Sequence, residues 1–179
     1  MLQITIPSTE AWDSKKEEFV KLKEQTLQLE HSLVSISKWE SKWCKPFLGK
    51  NEKTYEETMD YIKCMTITQN VKDETYSHLT TDNIERINKY IGEPMTATTF
   101  SNTSTGSTKE TVTSELLYYW MIANNIPMEC QKWHLNRLIT LIRICNVKNT
   151  PPKKMNKREI ANRYASLNAA RRKKFNSKG

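Results

Sequence analysis

The chain has 179 residues, enough for one domain with a packed core and too few for two of ordinary size. Its apolar share of 37% is modest, but five Trp and seven Tyr offer large surfaces for burial, which excludes a chain that stays unfolded throughout. The net charge of +8 is concentrated at one end: from Lys148 onward eleven Lys or Arg face a single acid, Glu159, a net of +10 that leaves −2 for residues 1–147. The basic pI therefore describes an arm and not a whole domain, which removes the main support for reading the entire protein as a nucleic-acid binder.

In chain order, Leu2, Ile4 and Ile6 alternate with polar residues and stop at Pro7, the pattern of a short half-buried strand. Val20 and Leu22, then Leu27 and Leu29, repeat that period on either side of Lys23-Glu24-Gln25, so a small antiparallel sheet of three strands is expected. After Leu29 the period lengthens. Leu33, Ile36, Trp39 or Glu40, and Trp43 fall three and four apart, as one face of a helix requires. Residues 49–53 interrupt it, and Thr54 with Glu57 three residues later has the form of a capping box that opens a helix with Met59, Ile62 and Met65 inward. A further short helix is expected over 81–91, ended by Gly92 and Pro94.

Residues 101–111 carry no apolar side chain and read as a mobile surface loop. Beyond it Leu116, Leu117, Tyr119, Trp120 and Ala123 form a helical stripe that ends near Pro127. The segment 129–146 holds Leu135, Leu138, Ile139, Leu141, Ile142, Ile144 and Cys145, so little of its circumference is polar, which places it as the central helix of the core. Pro151-Pro152 cannot continue that helix and should form a stiff extended spacer. A separate helix over 156–174 follows, with only Ile160, Tyr164 and Leu167 as a thin apolar line and the run Arg171, Arg172, Lys173 and Lys174 near its end. Such a line suits docking on a partner better than building a core. The architecture expected is mainly α (α+β): a helical bundle with a small N-terminal sheet over 1–147, then a basic helical arm over 148–179.

Signals of catalysis are thin. His31, His78 and His134 sit in no HExxH or HxH pattern, and each reads as a hydrogen-bonded structural residue. Gly49-Lys50 lacks the upstream glycine and the following Ser or Thr of a phosphate loop, and four glycines in the whole chain make a backbone cradle for a nucleotide improbable. The pairs Glu17-Glu18 and Glu56-Glu57 read as solvated. Cys44, Cys64, Cys130 and Cys145 lack a CxxC pair or zinc spacing and read as buried free thiols. The expectation is a non-enzyme without cofactor or metal. No stretch reaches the roughly 18 apolar residues of a membrane span and no signal peptide opens the chain, so the expected location is the cytoplasm.

Four segments together, 25–43 (QTLQLEHSLVSISKWESKW), 95–100 (MTATTF), 133–146 (WHLNRLITLIRICN) and 167–174 (LNAARRKK), resemble tail assembly chaperones of long-tailed bacteriophages. The resemblance implies a non-catalytic assembly factor in the host cytoplasm that coats the tape-measure protein while the tail tube polymerises and is absent from the finished virion. It also implies a second, longer form made by ribosomal frameshifting near the end of the short reading frame. Partner-binding residues are expected on the arm: Ile160, Tyr164, Leu167, Arg171, Arg172, Lys173 and Lys174. The tape-measure protein is the first partner, with self-association and then nucleic acid ranked below it. Two rival readings remain open, a structural head-tail connector or tail component retained in the virion, and a nucleic-acid-binding protein acting through the basic arm.

Overall fold

The structure, a computed structural model, describes residues 1–13, 18–100, 111–151 and 156–176, with residues 9–13, 18–22 and Glu159 described by their backbone. The fold is mostly helical with a small antiparallel N-terminal sheet. The chain divides into two compact units, Met1–Asn146 and Val147–Gly179.

Four strands replace the three expected from the sequence: β1 (Leu2–Ile6), β2 (Thr9–Asp13), β3 (Glu18–Leu22) and β4 (Gln25–Leu29). The strand of Val20 and Leu22 does not pair with that of Leu27 and Leu29; β1 pairs with β4 and β2 with β3. The register explains why. Leu2 lies opposite Leu29, Ile6 opposite Gln25, Thr9 opposite Leu22 and Asp13 opposite Glu18, so every pair keeps the same offset. This is one long hairpin whose ladder is broken at Pro7, which has no N–H to donate. In β1 the alternation holds, with Ile4 and Ile6 buried and Gln3 and Thr5 exposed.

Both edges of the β1–β4 pair are covered, which blunts the tendency of an open edge to recruit another strand. On the β4 side, the chain leaving the second helix returns hydrogen bonds, Ile67 N donating to Gln28 O at 2.8 Å and Glu30 N to Met65 O at 2.9 Å. On the β1 side, Asn83 Nδ2 and Arg86 donate to the carbonyls of Thr5 and Gln3 at 3.3 and 3.0 Å.

Seven α-helices follow among the described residues: α1 (Leu33–Trp43), α2 (Tyr55–Met65), α3 (Asp73–Tyr76), α4 (Thr81–Gly92), α5 (Ser114–Ala123), α6 (Leu135–Asn149) and α7 (Lys157–Phe175), with a 3-10 turn at Met128–Lys132 before α6. The box at Thr54 forms: its hydroxyl accepts from Glu57 N at 3.2 Å, and the Glu57 carboxylate accepts from Thr54 N at 2.8 Å. Glu57 is buried as a result, which corrects its reading as a solvated acid; Lys45 Nζ donates to its other oxygen at 2.5 Å and holds the carboxyl below its ordinary range. Glu56 is exposed, and Glu17 lies outside the described residues.

The central helix is α1 and not the 129–146 segment. Leu33, Ile36 and Trp39 of α1 are buried, and α1 packs against α2, α5 and the 3-10 turn. Glu40 extends its reach: its buried carboxylate accepts from Phe47 N and from Ser114 N, each at 2.7 Å, and so ties the end of α1 to the start of α5. An acid at a helix N-terminus is where the macrodipole favours one. The segment 129–146, by contrast, breaks at Trp133-His134, and α6 buries only Leu135, Leu138 and Ile142, with Ile139 and Leu141 half-buried. Composition alone could not separate a helix buried all round from one buried on a single side.

The α5 stripe is also corrected. Leu117 and Met121 face the core with Ser114, whereas Tyr119 is 63% exposed and Ala123 lies in solvent. The described part of the expected loop is Thr111, and the double proline lies partly outside the described residues. All four cysteines are free, but Cys130 alone is buried; Cys44 is exposed and ends α1 in a left-handed conformation at φ 51°.

Candidate functional site

The residues expected to bind a partner all fall on α7. Its 19 residues extend about 28 Å at 1.5 Å per residue. Ile160, Tyr164 and Leu167 are 41%, 62% and 44% exposed, and with Arg163 they line a shallow depression on the helix surface. Arg171 and Lys174 continue the line at the same alternating four- and three-residue steps, so all five share one side of the helix. Arg172 and Lys173 complete a cluster of four cations at the C-terminal end, where positive charge favours the helix dipole. The arrangement offers apolar contact at one end and charge-assisted hydrogen bonding at the other.

Elsewhere the structure assembles a polar cluster that the sequence reading left as separate residues. His31 and His134 are buried with ring centroids 5.1 Å apart in an edge-on arrangement. His31 Nδ1 lies 2.5 Å from the Tyr61 hydroxyl, which also lies 3.4 Å from Ser35 Oγ. His134 Nε2 donates to Tyr90 O at 3.0 Å, while its Nδ1 accepts from Asn136 N at 3.3 Å, the pattern of a neutral imidazole. Leu135 N donates to His31 O at 2.7 Å, so the backbone joins the two segments as well. Burial and the neighbouring His134 lower the His31 pKa to about 4; burial lowers that of His134 too. Burial also raises the Tyr61 hydroxyl well above its usual range. Both histidines are thus structural, hydrogen-bonded residues of the core. The signal that could have paired them is slight, since 103 positions separate them in the chain.

The third histidine, His78, lines an open cleft beside the hairpin break with Pro7, Lys23, Glu24, Lys72 and Glu74. Charges of both signs line it. Among the described residues no three His, Cys, Asp or Glu side chains gather to hold a metal ion, and no helix is long and apolar enough to cross a membrane. Comparison with protein-family models, curated proteins and solved structures finds no match to this chain.

Proposed function

We propose that this chain is a non-catalytic interaction protein, a bacteriophage tail assembly chaperone that holds the tape-measure protein in the host cytoplasm through its C-terminal helix. The observation that carries the reading is the exposed line Ile160, Tyr164 and Leu167 on α7, whose spacing suits helix-to-helix contact. The likeness of segments 25–43, 95–100, 133–146 and 167–174 to such chaperones supports the choice of partner.

Co-expression with the phage tape-measure protein, followed by pull-down, tests it: the expected result is a soluble complex, lost on replacing Tyr164 and Leu167 by Asp. Proteomics of purified particles separates this role from that of a connector, which would remain in the virion. The gene offers a further check. Lys173-Lys174, or Lys153-Lys154, can be encoded by an A-rich run on which a ribosome slips, and a tag at residue 1 should reveal a minor longer product. A single product with no overlapping −1 frame counts against the chaperone role.

The run Arg171 to Lys174 favours nucleic acid as a second reading, because four clustered cations can neutralise several phosphates. A steep salt dependence of DNA binding at sub-micromolar protein would support it.

A further inference from the structure

The distribution of charge along α7 specifies the polarity of its partner. We infer that α7 docks antiparallel on a helix whose N-terminal half carries carboxylates and whose C-terminal half carries an apolar stripe, an inference that rests on the proposed helix-binding role.

The line on α7 is asymmetric. Ile160, Tyr164 and Leu167 occupy its first part, and Arg171 and Lys174 continue it on the same side. The flanking positions sharpen the contrast. In the first half of the helix Lys157, Arg158 and Arg163 are partly offset by Glu159, a net of +2, whereas Arg171, Arg172, Lys173 and Lys174 add +4 and face no acid anywhere in the remaining sequence. A partner must therefore present apolar groups to one end and negative charge to the other.

Helix dipoles decide which end of the partner carries the acids. Carboxylates are favoured in the first turn of a helix and disfavoured in the last, while cations are favoured in the last. Antiparallel docking brings the partner's N-terminus beside the cationic end of α7, so both charge clusters lie where their own helices favour them. Parallel docking would place the partner's carboxylates at its own C-terminus, against its dipole. The four- and three-residue steps of α7 match a partner stripe of the same period, and a match over the helix length gives apolar contact at Ile160, Tyr164 and Leu167 with ion pairs at Arg171 and Lys174.

The test uses the full chain and three synthetic peptides of equal length, followed by fluorescence anisotropy. One has Glu in its first two turns and a Leu stripe after it; the second has the same residues in reverse order; the third has Gln in place of Glu. The first should bind about tenfold more tightly than either of the others, and its advantage should shrink with salt. In the double variant Arg171→Gln, Lys174→Gln the affinity for the first peptide should fall to about that for the Gln peptide, while circular dichroism and thermal unfolding stay unchanged. Equal binding of the first two peptides overturns the polarity. So does displacement of the first peptide by duplex DNA at physiological salt, with the steep loss on raising salt that phosphate contacts show, which would assign the cations to phosphate. Capture of the tape-measure protein by a chain that shows no peptide polarity would leave the proposed function standing and overturn this inference alone.

Discussion

Helices α1 and α7 follow the same periodicity and end in different circumstances. In α1, Leu33, Ile36 and Trp39 are buried, and Trp39 Nε1 donates to Glu57 O at 2.8 Å, so even the polar atom of its largest side chain is satisfied inside. In α7, Ile160, Tyr164 and Leu167 repeat the stripe, and all three are exposed. The difference lies in what flanks the stripe. Between its apolar positions α1 carries Ser35 and Glu40, which bond to neighbouring backbone, whereas the remaining surface of α7 is mostly Lys, Arg, Asn and Ala. An apolar line stabilises a fold only where adjoining elements complete its burial; on α7 the line stays exposed.

Substitution tests this contrast most strongly. Trp39→Ala should destabilise the protein by about 3–5 kcal/mol, and Leu138→Ala on α6 by about 2–5, measured by urea unfolding. Tyr164→Ala and Leu167→Ala should each stay within about 0.5 kcal/mol. If the α7 substitutions cost as much as Trp39→Ala, the distinction between core and recognition stripe fails.

Acid should expose a second weakness confined to the core. His31 is neutral in the folded state with a pKa of about 4, below the ordinary 6.5, so the unfolded chain takes up a proton first as the pH falls. The stabilisation is complete above about pH 6.5 and declines as the pH approaches 4, by about 3 kcal/mol. His31→Gln should flatten that part of the stability–pH curve. The arm contains no histidine, so its removal should leave the slope between pH 4 and 6.5 unchanged.

Smaller effects refine the comparison. Thr54→Ala removes the hydroxyl that caps α2 and should cost about 1 kcal/mol. Truncation after Thr150, which removes α7 and keeps α6 whole, should shift the melting temperature by no more than a few degrees while abolishing partner binding. A truncated chain that fails to fold would make the arm part of the core.

The sequence by itself determined the features that depend on near neighbours. These are the alternation of Leu2, Ile4 and Ile6, the apolar face of α1, the capping box at Thr54, the limits of α4, and the segregation of cations beyond Lys148, because side-chain period, cap chemistry and charge act over a few residues. Only the tertiary structure decided which strands pair, since Thr9–Asp13 becomes a strand by lying opposite Glu18–Leu22. It also decided which helix is central, because the 129–146 segment and α1 are both rich in apolar residues and only packing selects between them. The meeting of His31 with His134, and of Glu40 with Ser114, likewise depends on residues 103 and 74 positions apart. A buried polar group is tolerated only with its partner in place, and that partner is supplied by the fold and not by the local sequence.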